Sequence, residues 1–178
     1  MVGAGDNALQ RPTDDEIARW YPQLFHTALR MTGSLHHAAD LTQLAFCKAI
    51  DGWDRFQHQS SPTTWLHRIL MNCIRDWARR NAVREVESLD EWAPRVIPAQ
   101  GETAPQQVQK NEELEFLRKA IANLSDGVRE AFTATVLDGY AYEDAAQLLN
   151  VPVGTIASRV YAARKQIHAV MRQAFPEV

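Results

Sequence analysis

The sequence predicts an all-α protein, two small helical domains joined by a flexible linker, and three observations carry that reading. Apolar residues recur at helical spacing, and no strand-length run of alternating β-branched residues stands out in the 178-residue chain. Charge falls in blocks: five arginines against one acid over 64–84, eight acids against two bases over 85–115, and four bases with no acid over 145–176. The acidic block also holds Pro94, Pro98, Gly101 and Pro105 among scattered polar residues, a composition that favours turns and extended chain. The domains are therefore placed at 13–85 and 109–175, with the linker at 86–108.

In the first domain, Thr13 followed three residues later by Glu16 has the form of a capping box and opens a helix. Pro22 is expected to restart that helix at a first-turn position, where its missing N–H costs nothing. Leu24, Phe25, Ala28, Leu29 and Met31 supply the apolar face, and Gly33 ends the segment. Ser34 caps a second helix running to about Asp51 and closed by Gly52. Its inner face is Ala38, Thr42, Ala45, Phe46, Ala49, Ile50 and Trp53; its outer face is His37, Asp40, Leu44, Cys47, Lys48 and Asp51. Leu44 thus points outward from a polar surface, where with Asp40 and Gln43 it could form a small protein-contact patch.

Ser60-Ser61-Pro62 starts a third helix, from about Thr63 to Arg84. Leu66, Ile69, Leu70, Cys73, Ile74 and Trp77 form one stripe, and Arg68, Asn72, Arg75 and Arg79 the other. Three arginines and an asparagine in a row can follow a phosphate backbone and read a base edge, although a solvated surface row has the same pattern. Trp65 and the loop His58–Thr63 are freer than Trp77 to meet an unstacked base.

The second domain is expected to hold helices at about 106–123, 126–137, 142–149 and 154–173. Ser125 caps the second of these, and Asp138-Gly139 breaks the chain after it. Asn150-Val151-Pro152-Val153 joins the last two, with Asn150 placed where the turn needs a left-handed residue. On the final helix, Ile156, Val160, Ala163, Ile167 and Val170 form the buried stripe, opposite Thr155, Ser158, Arg159, Tyr161, Ala162 and Lys165. A first turn offering Gly154, Thr155, Ser158 and Arg159 suits nucleic acid: N–H groups and hydroxyls take phosphates while long side chains reach base edges. The pattern is that of a helix-turn-helix, with an ordinary αα-hairpin as its bland counterpart.

Other classes find little support. The net charge of −3 excludes a uniformly basic nucleic-acid binder. Cys47 and Cys73 are too few for a disulfide scaffold and match no metal spacing, and the six histidines form no ligand set, so no metal or cofactor is expected. No nucleophile elbow, P-loop or HExxH occurs, which argues against an enzyme. No apolar run approaches membrane-spanning length and no signal peptide opens the chain, so the expected location is cytoplasmic, without membrane insertion.

Two blocks resemble a known family. Ala39-Asp-Leu-Thr-Gln, then Phe46, Ala49, Trp53 and Phe56, then Trp65-Leu-His-Arg-Ile with Asn72, Asp76, Arg79 and Arg80, is similar to region two of bacterial sigma factors. Leu124, Arg129-Glu-Ala-Phe, Gly139-Tyr-Ala-Tyr-Glu-Asp-Ala-Ala and Leu149-Asn-Val-Pro-Val-Gly-Thr-Ile-Ala-Ser-Arg-Val resemble region four. Both in this order over roughly 14–172 look like the extracytoplasmic-function (ECF) group of RNA polymerase sigma factors.

The resemblance implies a role for each face. Asp40, Gln43 and Leu44 fall where the family grips the β′ clamp helices of core RNA polymerase, whose β subunit is a further expected contact. Asn72 and the loop through Ser61 and Thr63 match positions that capture a flipped base of the −10 element; Trp65 and Arg68 lie beside them, with Arg75, Arg79 and Arg80 along the backbone. Gly154, Thr155, Ser158, Arg159, Arg164 and Lys165 match the helix that enters the −35 major groove. Promoter DNA and an anti-sigma factor are the remaining partners implied. The family usually carries an acid at Leu44 and a base at Ala157. Those departures favour the alternative of a sigma-like decoy that binds an anti-sigma factor without directing transcription.

Overall fold

A computed structural model describes residues 11–56, 60–81 and 104–175, with side chains in the last span from Glu112 onward. The chain divides into two compact units, Met1–Asp90 and Glu91–Val178. Among the described residues every regular element is helical.

The first unit packs α1 (Asp14–Thr32), α2 (Leu35–Asp51) and α3 (Pro62–Asn81) against one another, with a short 3-10 turn at Trp53–Arg55. The capping box forms: Thr13 N–H donates to Glu16 Oε2 at 2.9 Å, and Glu16 N–H donates back to Thr13 Oγ1 at 3.3 Å. Gly33 closes α1 at φ 69°, a left-handed conformation that costs glycine little. Ser34 Oγ accepts from His37 N–H to start α2. Ser61 Oγ accepts from Thr64 N–H at 3.1 Å, so α3 begins at Pro62.

The expected restart at Pro22 does not occur; α1 runs through it unbroken. Pro22 is exposed, so the carbonyl it leaves without an amide partner faces water. Helix on both sides is held by packing: Leu24 and Ala28 are fully buried, and Tyr21 stacks on Phe25 and Phe46. The end of the third helix expected at Arg84 lies outside the described residues.

Periodicity located the core, and the structure widens it. Leu41 on α2 and His67 and Met71 on α3 are buried beyond the stripes listed from spacing. His67 ties α3 to α1: its Nε2 lies 3.3 Å from Thr27 Oγ1, and its Nδ1 3.0 Å from the Thr63 carbonyl oxygen. A carbonyl only accepts, so Nδ1 carries the hydrogen, and the unprotonated Nε2 of the neutral ring competes with the Gln23 carbonyl, 3.1 Å from Thr27 Oγ1, for the single hydroxyl hydrogen of Thr27. Burial holds the imidazole below its ordinary value, partly opposed by the Thr63 bond.

In the second unit α7 (Val153–Ala174) is the central strut, packed by α4 (Ala104–Ala122), α5 (Asp126–Phe132) and α6 (Tyr142–Leu149). Phe132, Leu124 and Ala120 meet Ala163 and Ile167 in its core. Helix starts earlier than the expected linker end at 108, because Pro105 occupies the first turn of α4, where proline is tolerated. The helix expected over 126–137 changes pitch: after α5 comes one π turn, Thr133–Leu137, with Asp138 N–H reaching back five residues to the Thr133 carbonyl. The Thr135 hydroxyl donates to the Ala131 carbonyl at 2.8 Å, competing for the acceptor that the regular ladder uses. Ser125 stands at the start of α5 but makes no side-chain capping bond. Gly139 and Asn150 both have positive φ, at 78° and 55°, where the two breaks were expected.

Candidate nucleic-acid interface

On α3 the side opposite Leu66, Leu70, Cys73 and Ile74 turns outward. Asn72, Arg79 and Arg80 are exposed, and Arg68 and Arg75 are half-buried. Arg79 pairs with Asp76 at 2.8 Å, and Arg80 Nε donates to the Asp76 carbonyl at 3.1 Å. Both contacts are solvent-exposed, so exchanging them for phosphate costs little.

Ser61 and Thr63 at the head of α3 do local work as well. The Ser61 hydroxyl caps the helix and meets Thr64 Oγ1 at 2.8 Å, and the Thr63 carbonyl holds His67. Trp65, expected to be freer than Trp77 to meet a base, sits within an aromatic cluster. Its centroid lies 5.1 Å from Phe56 and 5.6 Å from Trp53, which in turn stacks on Trp20 at 6.3 Å. A half-buried ring wedged among aromatics gains more from packing than from standing in water. His58 lies outside the described residues.

The outer face of α2 matches its sequence reading. Asp40, Gln43, Leu44, Cys47 and Lys48 are all exposed, with Leu44 at 38%. His36 Nδ1 sits 2.9 Å from Asp40 Oδ2 one turn away. Burial pushes the Cys73 thiol up, opposed by Lys48, whose side chain hydrogen-bonds it across the α2–α3 contact.

In the second unit, α6, the Asn150 turn and α7 form the helix-turn-helix. Ile156, Val160 and Ala163 are fully buried and Ile167 nearly so, whereas Val170, assigned to the same stripe, is exposed; at that end Met171 packs on the core and Phe175 meets Phe116 edge-on at 5.3 Å instead. Pro152 precedes α7 and offers no capping side chain, so the amides of the first turn are not claimed by one. A Cβ placed on Gly154 would meet nothing within 4 Å, so a phosphate can approach closely. Ser158, Arg164 and Lys165 are exposed, and Thr155 is half-buried.

Two α7 residues stand out, and one of them departs from the sequence expectation. Arg159 is half-buried, its guanidinium against Gly127 of α5. Tyr161, given no individual role from sequence, is 71% exposed on the outward face. Helical spacing already put Tyr161 outside; what spacing could not provide is α5, which covers Arg159 and leaves Tyr161 bare.

Comparison with known proteins follows the same division. Residues 17–84 match the Sigma-70 region 2 family and residues 115–167 match Sigma-70, region 4. The chain is 35% identical over 159 residues to the ECF RNA polymerase sigma factor EcfG of Rhodopseudomonas palustris (strain TIE-1), covering 88% of this chain and 83% of that protein. It is 33% identical over 134 residues to the ECF RNA polymerase sigma-E factor of Escherichia coli (strain K12), covering 72% and 70%. Among solved structures, the sigma factor RpoE crystallised with the anti-sigma factor NepR from Bartonella quintana is similar at a TM-score of 0.68 and 28% identity, over 89% of this chain and 95% of that one. With both helical units matched in chain order and an ECF relative aligned over most of its length, this chain belongs to the ECF group of RNA polymerase sigma factors.

Proposed function

We propose that the protein is a promoter-specificity subunit: it binds core RNA polymerase, brings it to a promoter and helps open the DNA, without catalysing a reaction of its own. The observation that carries this reading is the paired construction of α3 and α7. Each buries one apolar stripe in its own unit and turns a basic, polar row outward. A protein contacting two separate promoter elements needs two such rows on two folded units.

In the first unit, Asn72 reads a base of the melted −10 element, and Arg68, Arg75, Arg79 and Arg80 follow the backbone. Ser61 and Thr63 act at the head of α3, and Trp65 supports the loop side of the pocket from within its aromatic cluster. Base extraction costs a few kcal/mol, offset by contacts to the captured base. In the second unit, the amides at Gly154 and the side chains of Thr155, Ser158, Arg159, Arg164 and Lys165 meet the −35 major groove. Asp40, Gln43 and Leu44 dock on the polymerase clamp. These domain roles correspond to 13–85 and 109–175, with 86–108 as the connection.

An anti-sigma factor is the natural inhibitor, as NepR is the partner of the similar RpoE. The work is done in the cytoplasm, where polymerase and DNA are; among the described residues no helix is long and apolar enough to cross a membrane. Transcription in vitro with purified core polymerase, on promoters enriched from a random DNA library, tests the reading. A promoter-dependent transcript is expected. Core binding without a transcript would instead favour a decoy, the reading to which exposed Leu44 and Ala157 lend themselves.

A further inference from the structure

Gly127 is hard to explain by its own backbone. It lies in the first turn of α5, in ordinary helical conformation, where alanine is intrinsically better. Its surroundings supply the reason. A Cβ built there would stand 3.0 Å from Cζ, 3.1 Å from Nη2 and 3.3 Å from Nε of Arg159, tighter than ordinary van der Waals contact. Three atoms of one planar group at nearly equal distance place the guanidinium face-on over the glycine. The residue beside it contributes to the same corner: Arg129 donates to Asp126 Oδ1 and to the Ala122 carbonyl, each at 2.8 Å, fixing α5 to the end of α4. The seat is therefore anchored, and Arg159, 32 residues later in the chain, rests on it half-buried while Ser158 beside it is exposed.

We propose that Gly127 is a positioning residue for −35 recognition: its missing side chain lets α5 seat the Arg159 guanidinium, which fixes the direction in which Arg159 leaves α7. An arginine has four rotatable bonds, and immobilising it on binding weakens association. A seat present before DNA arrives removes part of that loss. An alanine Cβ at 127 makes the guanidinium give way by a few tenths of an ångström, and a larger side chain takes the seat. This inference rests on the assignment of Arg159 to the −35 contact.

The test is a double-mutant cycle in full-length protein assembled with core polymerase, on a duplex selected by the wild-type holoenzyme. Arg159→Ala should weaken binding by roughly 5- to 100-fold, the range of a bidentate base contact. Gly127→Ala should cost about 3- to 10-fold and Gly127→Leu more, with thermal midpoints equal to or above wild type, since both residues are better helix formers. In the Arg159→Ala background the same changes should cost less than about two-fold, because coupled residues are not additive. NMR of the free protein should show a dispersed, slowly exchanging Arg159 Nε–H. Arg159→Ala without effect overturns the contact assignment and the inference with it. A weakened Arg159→Ala beside a wild-type-like Gly127→Leu overturns the inference alone. So does an equal Gly127 effect in both backgrounds, or, should the Gly127 variants fail to fold, an Arg159 Nε–H averaged like that of a free arginine.

Discussion

On the proposed function Asn72 separates the two recognition events, because it stands exposed on α3 in the unit that does not carry the helix-turn-helix. Asn72→Ala is expected to slow open-complex formation about tenfold or more, the order of one lost base contact of 1–3 kcal/mol, while duplex binding by the second unit is retained. Permanganate footprinting of the melted region beside a duplex-binding assay reads both; an equal loss in the two would contradict the assignment. His67 gives a second residue-scale prediction. Since burial holds its pKa below 6.5, the unfolded chain takes up the proton first as pH falls. The stability from neutral His67 is complete above that value and declines below it, until the folded form titrates as well. Urea midpoints should therefore drop between about pH 7.5 and pH 5.5, and His67→Gln should flatten that drop while lowering the midpoint at the higher pH, as expected for weakened buried hydrogen bonds. The burial of His67 was not legible in the sequence, because its partner Thr27 sits 40 positions earlier and no local pattern links them.

At the scale of the element, what was legible is what is written locally. Thr13 with Glu16, Ser34, Gly33 and Asn150 each fix a helix end through bonds or dihedrals spanning a few residues, and each stands where spacing put it. Pro22 and the π turn at Thr133–Leu137 were not legible: tertiary packing outweighs the local preference at the first, and at the second no residue signals the change of pitch, since Thr27, Thr32 and Thr42 make the same hydroxyl-to-carbonyl bond as Thr135 inside regular helix. The neighbours of Trp65 and Arg159 were not legible for a related reason: helical spacing gives a face, not the residue that covers it. Pro22→Ala should restore one helix bond on an exposed face and raise stability by about 1–3 kcal/mol, measured by urea unfolding. Ser61→Ala should lower it by about 0.5–2 kcal/mol through loss of the α3 cap, with no change in the second unit's DNA affinity.

On the scale of the whole molecule, charge is segregated so that a net acidic protein can engage a polyanion. Eight acids against two bases fall within 85–115, and the outward row of α7 lies in a stretch of 32 residues without an acid. Arg164→Ala should weaken holoenzyme binding nearly uniformly across promoters and lower the slope of log affinity against log salt by about one. A preference for particular promoters lost along with affinity would make Arg164 a base reader instead.

The helix proposed to face the groove is also the one on which the other three of its unit are assembled. Positions facing in, such as Ile156, Val160 and Ala163, answer to the hydrophobic interior, and those facing out, such as Ala157, Ser158 and Tyr161, do not. Two vocabularies are thus interleaved along a single rod and share little beyond Arg159. A lineage, or an engineer, can rewrite the outward one to address new operons while the scaffold beneath stays silent, provided that Arg159, which belongs to both, is left alone.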